Sequence, residues 1–172
     1  MLEKPVTSET ADLLETLARH RYFLRYTVRD LTDEQAAQRP TASELCLGGL
    51  VKHVAAMERQ WVSFIADGPS AMAPAADGEA MADWSAEFRM LPGETLDGLL
   101  TAYEQVAGQT AAFVVTLPDL SITQPLPEAP WFEPGASWSA RRVLLHLIAE
   151  TAQHAGHADI LRESLDGAKT MG

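Results

Sequence analysis

Leucine, valine and aromatic residues recur along this chain at spacings of three and four, the interval that places side chains on one face of an α-helix. Leu13, Leu17, Leu24, Val28 and Leu31 trace one such stripe and predict a first helix over about residues 8–30, with Arg19, Arg25 and Arg29 largely elsewhere. Leu47, Leu50, Val54, Met57, Trp61 and Ile65 trace a second. Between the two, "DLTDEQAAQRPTASE" reads as turn. Thr41 followed by Glu44 matches a capping box, in which each side chain satisfies a free backbone N–H, so the second helix is predicted from Thr41 to about Ala66. Leu96, Leu99, Leu100, Tyr103, Val106 and Phe113 predict a third helix from just after Pro92-Gly93 to about Leu117. A fourth begins near Ser137, a good N-cap, and ends near Asp166-Gly167, where glycine is the usual stop.

The connections carry the opposite signal. Residues 67–93 include "DGPSAMAPAADGEA", a long surface loop, inside which "MADWSAEFRML" offers a short helix. "PDLSITQPLPEAPWFEPGAS" holds five of the chain's ten prolines and reads as a crossover, not an element, because proline lacks a donor and fixes φ. Neither a strand ladder nor an internal repeat is visible. Four helices with two long connections predict an all-α fold, a four-helix bundle forming one domain over residues 1–172, with any site built from side chains on facing helices.

Composition narrows the function. A chain of 172 residues, 47% hydrophobic and 22% charged, has the make-up of one globular domain with a real core. Its net charge of −11 disfavours nucleic acid and anionic membrane as partners, since both need a basic surface. The single cysteine, Cys46, excludes an internal disulfide and fits a reducing cytosol. With no basic-plus-apolar leader and no apolar run near the ~20 residues of a membrane helix, a soluble, cytoplasmic protein is expected.

The fourth helix contains the unusual chemistry. In "HLIAETAQHAGHAD", His146, Glu150 and His154 follow one another at intervals of four, with His157 close behind. Projected at about 100° per residue, Glu150 and His154 fall on the flank or inside of the arc that carries Val143, Leu147, Leu161 and Leu165. His157 sits at its edge, and His146 and Gln153 on its margin. An ionised carboxylate buried there costs several kcal/mol unless compensated, and no Lys or Arg lies within a turn of Glu150 on this helix. Either a cation comes from elsewhere or the acid is protonated. On the second helix, "LGGLVKHVAAMERQW" sets His53 on the flank of Leu50, Met57 and Phe64. Two imidazoles and a carboxylate facing one another would suit a divalent transition metal with positions left open, and Zn, Ni, Fe and Mn all accept such donors.

Each feature also has a plainer reading. A single buried histidine is ordinarily a hydrogen-bonded core residue, and E-x-x-x-H alone recurs by chance. His20 and Cys46 read as structural, and Trp61, Trp84, Trp131 and Trp138 as packing or the lining of a pocket mouth. Arg141 and Arg142 stand in the first turn of the fourth helix, where positive charge opposes the dipole; Arg141 is a candidate to meet an acidic substrate.

"TASELCLGGLVKHVAAMERQW" and "RRVLLHLIAETAQHAGHADILRESLDG", in this order and spacing, resemble the DinB-like superfamily of bacterial metal-binding four-helix bundles, and within it the mycothiol-dependent transferases of actinobacteria. That family's pattern is one histidine midway along the second helix and a pair four apart on the fourth. In the branch of mycothiol-dependent maleylpyruvate isomerase the pair is Glu and His, as Glu150 and His154 are here. The resemblance implies His53, Glu150 and His154 as ligands, commonly to zinc, and mycothiol as co-substrate. It also brings in a second copy of the chain as a partner, since dimers are common in the family. The isomerase carries a further C-terminal domain, whereas this sequence stops at Gly172, so the expected activity is that of a thiol transferase working from the bundle alone.

Bound to such a metal, a small thiol would be held as the thiolate and would attack an electrophile. His157 would orient Glu150 or bound water. Three further readings stay open at this point. The site would be a hydrolase if it activated water, or the chain a non-catalytic metal- or ligand-binding stress-response bundle, or a purely structural bundle with Glu150 protonated.

Overall fold

Helix ends in this protein are set by which side chain reaches a free backbone N–H or C=O first. The computed structural model describes residues 6–72 and 86–170. Helix α1, Ser8–Thr27, begins where Thr7 Oγ1 accepts from the Thr10 amide at 3.2 Å. It stops three residues short of the expected Asp30, which has left-handed backbone with φ of 58°. The guanidinium of Arg162 takes the carbonyls of Thr27 and Arg29 at 2.9 and 2.7 Å, so the closing turn is tied to another helix rather than continued.

The expected capping box at Thr41 and Glu44 does not form. Thr41 Oγ1 instead accepts from the Ser43 amide at 3.2 Å, and Glu44 pairs with Arg39. The box occurs upstream, where Thr32 and Gln35 exchange bonds of 2.9 and 3.2 Å and open a short helix α2, Asp33–Ala37, in a stretch read from sequence as turn. Helix α3, Leu47–Asp67, therefore starts six residues later than expected, with the Cys46 thiol sulfur accepting from the Gly49 amide at 3.4 Å. It ends at Gly68, where φ is 72°, and runs into a 3₁₀ turn, Gly68–Met72.

Helix α4, Leu96–Val114, is capped by Thr95 and ends three residues before the expected Leu117. The proline-rich crossover does contain an element, contrary to its reading as loop throughout. Strand β1, Thr123–Pro125, pairs antiparallel with β2, Ser137–Ser139, setting Gln124 against Trp138. Both strands of a two-stranded ladder have an open edge, the sheet environment that tolerates a proline such as Pro125. Helix α5, Ala140–Asp166, takes Ser139 rather than Ser137 as its N-cap and ends on Gly167 as expected, with φ of 79°. Of the helix expected in "MADWSAEFRML", residues 81–85, with Trp84 among them, lie outside the described residues, and within the rest only 86–87 are helical.

The fold is all-α apart from the small ladder. α5 packs against both α1 and α3, and α4 closes against α3 and α1. Leu17, Leu24, Leu50, Val54, Phe64, Val143 and Leu147 meet in the core between them with no exposed surface. Among the described residues no helix is long and apolar enough to cross a membrane.

One polar group shares that core. Glu58 of α3 is fully buried, takes two bonds from Arg21 of α1, one of them at 3.0 Å, and accepts a third from Thr110 of α4 at 2.5 Å. Burial foremost, and then the Glu58 charge, push the neighbouring Tyr103 phenol well above its ordinary range. A buried ion pair stabilises little against an apolar replacement, yet removing one member leaves an uncompensated charge. Arg21→Met should therefore cost about 3–5 kcal/mol in urea unfolding, and the double change Arg21→Met with Glu58→Leu should recover most of it. Equal losses in the single and double variants would contradict the pairing.

Candidate metal centre

Among the buried positions of α5, Val143, Leu147, Thr151, His154, Ala158 and Leu161 follow one another at the spacing of a single helical face. His154 thus stands in the apolar stripe itself. Glu150 and His157, one position off that line, are half-buried. The Glu150 side chain remains 29% exposed, so it is less buried than the sequence projection implied. On α3, the face that turns Val54 and Met57 inward sets His53 at the seam with α5, 12% exposed.

The packing of α3 on α5 brings these groups together. The His53 and His154 rings lie 4.9 Å apart at 76°, and His154 Nε2 is 3.6 Å from Glu150 Oε2. One donor atom from each of His53, Glu150 and His154 falls within 4.8 Å of the others. Two donors on one tetrahedral zinc stand about 3.3 Å apart, given bonds of ~2.0–2.1 Å, so small side-chain adjustments would close this set around an ion. The donor chemistry fits as well. Burial, and then the nearby His53 and His157 rings, depress His154 to about 4, so at neutral pH it carries a lone pair instead of a positive charge. A neutral imidazole is the form that binds metal.

One nitrogen of each imidazole also has a partner outside the triad. His154 Nδ1 is 3.4 Å from His157 Nδ1, and His53 Nδ1 is 3.3 Å from Glu87 Oε2. Phe88 stacks on His53 with ring centroids 4.1 Å apart. Sequence reasoning missed both Glu87 and Phe88. A signal existed in the paired glycines of "LGGL". A Cβ on Gly49 would meet the Phe88 carbonyl oxygen at 2.0 Å, and one on Gly48 would meet Met90 Sδ at 2.2 Å. The helix accepts two glycines, each costing about 1 kcal/mol of propensity, because the returning chain lies directly on it.

Other candidates stand apart from the triad. Arg141, expected to reach substrate, is a bidentate partner of Glu9 on α1 and also reaches Ser121 at 3.4 Å. It lies nine residues before Glu150 on the same helix, about 13 Å along the axis, and the structure does not bring it to the cluster. His20 rests edge-on against Phe23, and Cys46 caps α3 while its thiol donates to the Phe88 carbonyl at 3.6 Å. Trp61 stacks on Trp138 at 4.7 Å, with His146 against the edges of both and the Arg142 guanidinium 4.6 Å from the Trp138 ring. Burial, its largest influence, pushes His146 below the usual histidine range. Trp131 is exposed. Beside His53 an open cavity runs along α3, with Arg59, Gln60, Ser63, Asp67 and Glu87 on its wall.

The low value of His154 has a measurable consequence in the metal-free protein. Between its ordinary 6.5 and about 4 the unfolded chain binds a proton at this ring that the folded chain does not. Its contribution is therefore intact above pH 6.5 and is lost as pH falls toward 4. Relative to His154→Gln, the wild type should lose roughly 3 kcal/mol across that window. Urea unfolding of both proteins at several pH values tests this, and parallel curves would contradict it.

A search of curated proteins returns no match. The family model for mycothiol-S-transferase (MST) matches residues 12–167, a span that runs from α1 through the close of α5 and includes all three members of the triad. The chain belongs to the mycothiol S-transferase family.

Proposed function

We propose that this chain is a metal-dependent transferase, built as a single DinB-like four-helix bundle, that conjugates a low-molecular-weight thiol, mycothiol, to small electrophiles. Zinc is the proposed metal, held by His53, Glu150 and His154. The observation that carries the reading is the convergence of those three side chains from two facing helices, with His53 on the wall of an open cavity. Family membership supports the choice of thiol.

The chain's own residues divide the work. His53 and His154 would each offer an uncharged nitrogen, and Glu150 one negative charge, so a divalent ion held there keeps one unit of positive charge and favours an anionic further ligand. When bound, the metal supplies a Lewis acid that holds a thiol in its deprotonated, nucleophilic form at neutral pH. His157, against His154 Nδ1, steadies that ring. The hydroxyl, amide and charged groups of Ser63, Gln60, Asp67 and Arg59 give the cavity the donors and acceptors a hydroxyl-rich thiol needs. Arg141 remains committed to Glu9 and is given no part.

The chemistry sets the expected scale. A thiol of pKa ≈ 8.5 is only about 3% ionised at pH 7, so full ionisation raises the reactive fraction about 30-fold. Zinc-loaded protein with mycothiol and monochlorobimane should give thiol-dependent turnover, and His154→Ala should lower kcat/KM by about 30-fold or more. Turnover of ester or amide substrates without added thiol would replace this reading with a metal-assisted hydrolase. Ligand binding with no turnover under any thiol would replace it with a binding protein.

A further inference from the structure

We propose that Glu87 is a positioning residue of the metal centre, fixing which nitrogen of His53 is free to bind the ion. The inference rests on the metal reading above and assigns the role of a side chain outside the triad.

A neutral imidazole carries its proton on one nitrogen and a lone pair on the other, and only the bare nitrogen can ligate. A carboxylate only accepts, so at 3.3 Å from Glu87 Oε2 it is His53 Nδ1 that donates. Nε2 is thereby left bare. The second imidazole is oriented in the same way: His154 Nε2 lies on the Glu150 side, and its Nδ1 is 3.4 Å from His157 Nδ1. Each histidine of the triad is thus held at Nδ1 from outside.

Glu87 does not arrive there by a loose surface contact. The chain around it is anchored at consecutive residues: Phe88 by its stack on His53 and by the Cys46 thiol on its carbonyl, Arg89 by Lys52 Nζ on its carbonyl at 3.5 Å. Lys52 is itself held by Glu94 at 2.7 Å. The Gly49 surface, which no Cβ could occupy without striking the Phe88 carbonyl, seats the same backbone one turn before His53. The Glu87 side chain itself remains 39% exposed, and exposed ion pairs contribute little to stability. Its effect should therefore appear in ligand orientation and not in unfolding.

The test compares wild type with Glu87→Ala in two states. In metal-free protein, ¹⁵N NMR of the imidazoles reads the His53 tautomer. In metal-loaded protein, competition with a chelator reads zinc affinity. The expected result is an Nδ1-protonated His53 in the wild type and a shift toward the Nε2-protonated tautomer in the variant. Zinc affinity should fall 10–100-fold, the usual effect of losing such a partner, with an unchanged unfolding midpoint. The inference is overturned if the tautomer is the same in both proteins, or if zinc affinity differs by less than about twofold. Neither readout needs thiol or turnover. Zinc binding by the wild type with no change in the variant would sink this inference alone, whereas absence of zinc binding by the wild type would sink the metal reading with it.

Discussion

Burial of His154 on the face of α5 that packs against α3 is the constraint from which the rest of the site follows. Removing that ring from water disfavours its charged form, and the neighbouring imidazoles add to the penalty. What remains is a neutral donor beside a carboxylate that is only partly desolvated. A group in that state satisfies the requirements of a metal ligand before any ion arrives. Had Glu150 been as buried as His154, the helix would have carried a charge without compensation, and the metal-free protein would have been correspondingly weak.

A second constraint operates at the start of α3. Two consecutive glycines lower helix propensity there, yet they let the chain at Phe88–Met90 lie on the helix at a distance no side chain would permit. This close approach converts a long connection into one wall of the site. Cys46 contributes to the same junction twice, as cap of the helix and as donor to the Phe88 carbonyl. The buried pair of Arg21 and Glu58, bonded also to Thr110, joins α1, α3 and α4 on the core side of the helix that presents His53.

The helices and the triad were legible in the sequence because both depend on periodicity. Leu47 to Ile65 and Val143 to Leu161 declare their faces, and His53, Glu150 and His154 can be placed on those faces by counting. Helix ends were less legible, because capping is a competition among local groups. Thr32 with Gln35 and Thr41 with Glu44 carry equivalent signatures, and only the first pair finds a backbone ready to be capped. Arg21 and Glu58 could have been found, since each sits at a stripe position between apolar neighbours and their charges are opposite. Glu87 could not be paired with His53 by counting, because it lies beyond a loop and its position depends on the glycine contact. The pairing of Arg141 was not legible either, because its place in the first turn of α5 says nothing of Glu9, which reaches it from another helix.

The central claim is that His53, Glu150 and His154 together hold a metal ion. It is tested most directly by elemental analysis of the purified protein without a histidine tag, beside His53→Ala and Glu150→Ala. The account predicts about one equivalent of zinc in the wild type and its loss in both variants. Less than about a tenth of an equivalent in the wild type, even after incubation with Zn, Ni, Mn and Fe(II), would contradict it.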